Sequence, residues 1–343
     1  MVTEPSLMET RAFNQHLKLV EGWYWLVRSK NVRRKKAIAV TLTGRELVVY
    51  RTEGDQVVVF DAYCPHMGAH LAMGKVHGEC LRCYFHNWAF DSEGLCVEVP
   101  SMEQPPEGLR VRAWPARDKH GLIWAWTGSG QPPHEVPEPP QLKQTDYVSA
   151  LGRRSNIECH PHVVMINAID ENHFQTVHRI PGGLMNLETR VESDQNIQFI
   201  NSAKPPSETR LQRWVSSFYK GSIFYELSYW YGTNGLVSMG PDFLRMYFMF
   251  ALRPTAEGST EGQIVVFTPR RKGILGWCLN HLILFMTRMV GRYFSSGDTR
   301  VFQTIRFNYQ NPIAADRTVL TFIRHLEDQP LTNWIQEEKT SAS

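Results

Sequence analysis

Two cysteine–histidine pairs carry the first chemistry that this chain suggests. Cys64-Pro-His66 is followed, after sixteen intervening residues, by Cys83-Tyr-Phe-His86. Two thiolates and two imidazoles on separate loops can be shared between the irons of a [2Fe-2S] cluster. The thiolates then hold one iron and the imidazoles the other, which raises the reduction potential above that of an all-cysteine cluster. Pro65, Gly68 and Gly74 suit loops whose backbone must come close to the sulfides. The alternative is a zinc site made of Cys64, Cys80, Cys83 and His86, because Cys80 and Cys83 have zinc-like spacing. That choice leaves His66 and its flanking pattern without a use, so the cluster is preferred. Cys80 and Cys96 then read as small core residues, and His70 and His77 as ordinary polar ones.

A second constellation lies in Asn167-Ala-Ile-Asp170-Glu-Asn-His173-Phe-Gln-Thr-Val-His178. A helix over about 163–177 would place Asn167, Asp170 and His173 along one side at three-residue steps. His173 and His178 would be about 140° apart on a regular helix. Either a π-type widening or a loosened last turn before Pro181 must bring them to one metal. Two neutral imidazoles and one carboxylate leave positions open on Fe(II) for O2. The carboxylate chosen is Asp298, because Asp298, Val301, Phe302 and Ile305 share one helical stripe and a buried charge needs a partner. Its other reading is a helix N-cap. Asp316 and Asp242 are the remaining candidates, and His160 and His162 read as structural or pocket-lining.

These residues need elements to hold them. From Gly22 to Trp126 the chain reads as short strands (37–42, 46–50, 57–60, 95–99 and 122–126), an all-β domain over residues 20–130. The run Gln131-Pro-Pro-His-Glu-Val-Pro-Glu-Pro-Pro140 is proline-rich, and 131–141 is taken as a linker. Residues 142–335 alternate helical stretches (163–177, 274–293 and 299–307) with extended runs (223–231, 244–252 and 263–267). The expected class is α+β, with the second domain helix-grip-like and bearing the mononuclear iron. Phe218, Tyr219, Phe224, Tyr225, Tyr229, Trp230, Tyr231, Tyr247 and Phe248 supply aromatic bulk for its core and pocket.

The bulk numbers exclude other classes. The 37 basic and 34 acidic residues leave a formal charge of +3, too little and too dispersed for a nucleic-acid partner. Six cysteines in a chain whose start lacks a signal peptide's apolar core point to a reducing cytoplasm rather than a disulfide framework. The most apolar stretch, 274–294, is interrupted by Asn280, His281, Thr287, Arg288 and Arg292, and spanning a bilayer takes roughly 18–20 apolar residues. It is expected to be a helix packed on the core, with contact at a membrane surface as its other use.

The run from Tyr63 to Leu71, with Cys83-Tyr-Phe-His-Asn-Trp88, resembles the Rieske domain of non-haem iron oxygenases, and the Asn, Asp, His, His pattern resembles their iron site. Asn87 departs from the glycine usual there, but asparagine tolerates left-handed dihedrals. The resemblance spans nearly the whole chain and is closest to the ketosteroid hydroxylase and sterol desaturase branch. It implies a catalytic subunit with cluster ligands Cys64, His66, Cys83 and His86, and iron ligands His173, His178 and an acid on a late helix, here Asp298. It implies electrons from NAD(P)H through a separate ferredoxin or flavin reductase, O2 as co-substrate, and hydroxylation or desaturation of a bulky hydrophobic or natural-product-like molecule. It also implies head-to-tail homotrimers in which Asp170 bridges a cluster histidine of one subunit to an iron histidine of the next, with Asn167 beside the iron ligands. The competing reading is a Rieske electron-transfer protein whose second half is only structural.

Overall fold

The computed structural model describes residues 10–16, 18–178, 187–203, 221–241, 243–308, 310–332 and 334. Pro181, Phe218, Tyr219 and Asp242, named above, lie outside the described residues. The chain divides into two compact units, one of them Glu21–Val136 with Thr332 and Trp334.

This first unit is built from three small antiparallel sheets. Trp23–Arg28 pairs with Leu122–Trp126, which pairs with Ala116–Lys119. Ala37–Leu42, Arg45–Arg51 and Val57–Asp61 form a meander closed by Ala113–Trp114. Lys75–His77, Cys80–Arg82, Ala89–Phe90 and Cys96–Glu98 form the third. Valine, tyrosine and tryptophan fill these strands because branched and aromatic side chains pack well on a pleated surface. The meander also carries a partly buried ion pair: Arg45 donates to both carboxylate oxygens of Asp61 at 3.0 and 2.7 Å. The guanidinium lies against the Trp114 and Trp334 rings, and Trp114 donates to Asp61 at 2.8 Å. Such a pair is tolerated inside because its hydrogen-bonding capacity is filled. It anchors the strand end three residues before Cys64.

The second unit contains Pro137–Leu331 and the chain before Glu21. Its frame is a seven-stranded antiparallel sheet: β1 (Tyr147–Ile157), β2 (Glu188–Ser193), β3 (Asn196–Ala203), β4 (Ile223–Trp230), β5 (Asn234–Pro241), β6 (Met246–Pro254) and β7 (Thr260–Pro269). The spatial order is β1-β7-β6-β5-β4-β3-β2, so every strand but β1 neighbours its successor. The helices are α1 (Pro161–Asn167), α2 (Glu171–Thr176), α3 (Gly273–Phe302) and α4 (Arg317–Glu327). Met165, Ile169 and Phe174 of the α1–α2 segment share a core with Phe199, Leu227, Tyr229 and Val266 of the sheet and Phe322 and Leu326 of α4.

The structure differs from the sequence expectation in three places. The single helix over 163–177 is two short helices, broken at Ala168–Asp170. Its freed carbonyls are taken up by hydroxyls from elsewhere: Tyr229 to Met165, Tyr225 to Ala168 at 3.0 Å and Thr318 to Ile169 at 3.0 Å. Buried backbone acceptors must be paired somewhere, and these three side chains make the break affordable. Second, the stretches 274–293 and 299–307 are not separate helices: α3 runs unbroken from 273 to 302, which puts Asp298 inside a helix rather than at its N-cap. Third, α3 is not sunk in the core. Asn280, Ile283, Leu284 and Thr287 are buried, whereas Ile274, Leu275, Trp277, Leu282 and Phe285 are exposed.

Candidate active site

The two cysteine–histidine loops share one backbone design. Cys64 donates its N–H to the Ala69 carbonyl and accepts from Gly68, both at 2.9 Å; Cys83 donates to Trp88 at 2.9 Å and accepts from Asn87 at 3.0 Å. Closing each loop requires a left-handed residue four positions after the cysteine. Gly68 has φ +71° and Asn87 has φ +60°, so asparagine fills glycine's place at modest steric cost. Gly74 serves a different end from the one expected: a Cβ there would lie 2.3 Å from the Arg82 carbonyl oxygen, so it lets one loop pack on the strand that leads into the other.

Both cysteines are buried on a core of Val48, Tyr50, Phe60, Leu71, Leu81 and Phe90, while His66 is half-buried and His86 exposed. The rings of His66 and His86 are 4.7 Å apart, and Trp88 stacks on His66 at 4.1 Å and 10°. Sulfurs thus lie inside and imidazoles at the tip. Burial, followed by the neighbouring Cys83 thiol, pushes the Cys64 thiol up to about 11, against a backbone hydrogen bond from His66. Adjacent buried thiolates need strong positive charge beside them, which the irons of a cluster supply. The zinc alternative fares poorly. Among the described residues, the set of three or more potential donor atoms within 4.8 Å of one another is His173, His178 and Asp298, and the cysteine loops provide none. A single metal needs all its ligands that close, whereas a two-iron cluster spreads them. Cys96 is buried and Cys80 half-buried; His70 accepts from Ala72 N–H at 3.1 Å and His77 is exposed.

In the second unit, Asp298 Oδ1 accepts from His173 Nε2 at 2.8 Å and from His178 Nε2 at 3.0 Å. The His173–His178 geometry comes from the loosened end of α2, not from a π turn: the helix stops at Thr176 and His178 lies just beyond it. Burial alone would raise the Asp298 carboxyl, but the hydrogen bonds from both imidazoles outweigh it and hold the group below its usual range. Two imidazoles and a carboxylate meeting at one point fit Fe(II), each ring offering Nε2 as a neutral ligand. Asp316 is remote from this chemistry, since its carboxylate accepts from the Ile313 N–H at 2.9 Å. His160 and His162 are also elsewhere: His160 caps α1 and His162 accepts from Asn14 N–H at 3.1 Å.

Asp170 Oδ1 caps α2, accepting from the backbone N–H groups of Asn172 at 2.9 Å and His173 at 3.2 Å. Asn167 is buried, its Nδ2 has no hydrogen-bond partner, and it lines a cavity of about 840 Å³ together with His178 and Asp298. The walls are largely apolar, with Phe174, Tyr225, Val237, Met239, Phe248 and Phe250 among them, and Arg154, Glu158, Arg288 and Arg292 also line the space. That volume lies within the usual range of small-molecule sites.

Two contributors escaped the sequence reading. Gly297 packs against the metal ligands, since a Cβ there would lie 3.2 Å from Val177 Cγ1 and 3.4 Å from His178 Cε1. A lone glycine beside a candidate ligand in a helical run was the available signal. Tyr225, read only as aromatic bulk, both holds the Ala168 carbonyl and feels the Asp298 charge, which together with burial raises its hydroxyl.

Residues 22–115 match the Rieske [2Fe-2S] domain. Cholesterol 7-desaturase of Bombyx mori is 34% identical over 162 residues, 46% of this chain and 35% of that protein. The oxygenase component of 3-ketosteroid-9-alpha-monooxygenase from Rhodococcus rhodochrous is 30% identical over 166 residues, 47% of this chain and 44% of its own length. The chain thus matches less than half the length of these curated relatives. The crystal structure of dicamba monooxygenase bound to dicamba superposes with a TM-score of 0.61 at 19% identity, covering 96% of this chain and 99% of that one. The chain therefore carries a Rieske [2Fe-2S] domain followed by a second unit with the fold of the Rieske oxygenases.

Proposed function

We propose that the chain is the catalytic subunit of a Rieske non-haem iron oxygenase that hydroxylates or desaturates a bulky hydrophobic molecule. The observation that carries this reading is the convergence of His173, His178 and Asp298, the last two of which line a largely apolar cavity. A purely electron-transferring protein has no use for it. Names of the relatives, a sterol desaturase and a ketosteroid monooxygenase, favour a polycyclic lipophilic substrate.

Cys64, Cys83, His66 and His86 would hold the cluster, and His173, His178 and Asp298 the iron. When bound, these groups supply single electrons and a site where O2 is activated beside the substrate. The protein's own residues do the rest. Phe174, Val237, Phe248 and Phe250 bind apolar surface and exclude water. Asn167 lines the same cavity beside His178 and Asp298. Tyr225, kept protonated by burial and by the Asp298 charge, holds the helix break that orients α2.

Electrons come from NAD(P)H through a separate ferredoxin or flavin reductase. In the proposed assembly, a head-to-tail homotrimer, Asp170 links a cluster histidine of one subunit to the iron site of the next. What supports this role is that its cap uses Oδ1 only, leaving the second carboxylate oxygen for such a contact. Iron analysis tests the central claim. An oxygenase retains about three irons per chain, two in the cluster and one at the triad, whereas the electron-transfer reading gives two.

A further inference from the structure

Among the described residues, the outward face of α3 is an apolar surface that the oxygenase reading leaves unused. Ile274, Leu275, Trp277, Leu282, Phe285 and Met289 are 83, 87, 60, 56, 57 and 50% exposed. On a helical projection the exposed apolar residues between Ile274 and Tyr293 cover an arc of roughly 200°, and His281, Arg288 and Arg292 fall on one side of it, between Trp277 and Ile274. Soluble surfaces seldom expose so continuous an apolar stripe unless something covers it.

We infer that this face docks α3 in the plane of an anionic lipid surface. Charge selects this occupant. No acidic residue occurs between Gly273 and Gly297, while Arg270, Arg271 and Lys272 precede the helix and Arg288 and Arg292 share its exposed face. A second copy on the same face would bring these cations together with no carboxylate between Gly273 and Gly297 to offset them, whereas anionic headgroups match them. Trp277 and Tyr293 suit the headgroup boundary, where amphipathic rings collect.

The helix lies on the surface rather than crossing it, although it is long and apolar enough to span a bilayer. Its opposite face, with Asn280, Ile283, Leu284 and Thr287 buried, packs on β1, β6 and β7, and its last turns bring Asp298 to the histidines. Crossing would break both sets of contacts. Phe285 and Met289 also line the cavity, as do Arg288 and Arg292. A lipophilic substrate can therefore pass from the lipid to the site along one apolar wall. That delivery route rests on the oxygenase reading; lipid docking does not, so the two fail separately.

Flotation of the holoprotein with vesicles of phosphatidylcholine mixed with phosphatidylglycerol, against phosphatidylcholine alone, tests the docking. The expected result is flotation that depends on phosphatidylglycerol and weakens as salt rises. Leu275→Glu with Leu282→Glu should lower vesicle partitioning at least about tenfold while the visible spectrum of the cluster and the unfolding temperature persist. Lys272→Glu with Arg288→Glu should lower it by a similar factor through charge. Absence of flotation with either vesicle overturns the inference, as does flotation undiminished in both double variants. A fall in the mass of the protein by light scattering in the leucine variant also overturns it, because the face would then join copies of the chain.

Discussion

Replacing Gly297 tests whether α3 positions the metal ligands as well as supplying one. The glycine is inside the helix and its φ is not in the left-handed region, so alanine is compatible with the backbone and gains about 1 kcal/mol of helix propensity. The new methyl lies 3.2 Å from Val177 Cγ1 and 3.4 Å from the His178 ring, so Val177 must give by a few tenths of an ångström. Valine is no worse than glycine as a helix former, but it carries carbons about 1.5 Å beyond Cβ, and a γ carbon aimed at His178 would overlap the ring. Metal sites tolerate deviations of about 0.2 Å in ligand distance. The expected series is therefore an unfolding temperature at or above that of the parent for Gly297→Ala, and an intact cluster spectrum for both variants. Iron affinity at the triad should fall about tenfold for alanine and about a hundredfold for valine, the range of losses seen when ligand-orienting neighbours are altered. Fe(II) titration of apoprotein, followed at the triad while the cluster absorbance is monitored, measures it. Wild-type iron affinity in Gly297→Val would refute the positioning argument.

His173→Ala, His178→Ala and Asp298→Ala should each abolish iron retention at the triad and turnover while leaving the cluster spectrum unchanged; activity kept by Asp298→Ala would move the third ligand elsewhere. His66→Cys or His86→Cys, where a cluster still assembles, should lower its reduction potential by electrochemical titration, and an unshifted potential removes that histidine from the ligand set. Asp170→Asn keeps a side-chain oxygen for the α2 cap, so it should retain stability and both metals yet lose nearly all turnover, with slowed cluster reoxidation in rapid mixing; Asp170→Ala should additionally lose about 1 kcal/mol of stability. Burial, then the charge of His16, lowers His160 from 6.5 to about 3. The unfolded chain takes that proton near pH 6.5 and the folded one only near pH 3, so stability is full above the first value and declines as pH falls toward the second. His160→Asn retains a cap and should flatten the acid limb of unfolding temperature against pH between those values; an unchanged slope would show that His160 does not titrate this way.

The cluster loops were legible because every requirement on them is local. Cysteine, histidine and a residue able to turn left-handed fall within a few positions of one another, so residue types and spacing suffice, even with Asn87 in place of glycine. The strands 37–42 and 122–126 were legible for the same reason. The iron site was legible in its donors but not in its geometry. Nothing between Val163 and Val177 demands a break, because neither proline nor glycine interrupts the segment. The break at Ala168–Asp170 is imposed from outside the segment: the residues whose hydroxyls bond its carbonyls, Tyr225, Tyr229 and Thr318, are 57, 64 and 149 positions away. The long helix has the opposite explanation. Ser295-Ser296-Gly297 reads as a stop, and in isolation would weaken a helix, yet Ser296 turns its hydroxyl back to the Tyr293 carbonyl at 2.8 Å and Gly297 provides room for His178. Both misreadings thus have one physical origin. Local propensity set a helix boundary that tertiary contacts at the metal ligands moved, in one case adding an end and in the other removing it, so the departures fall where the site imposes its geometry on the chain.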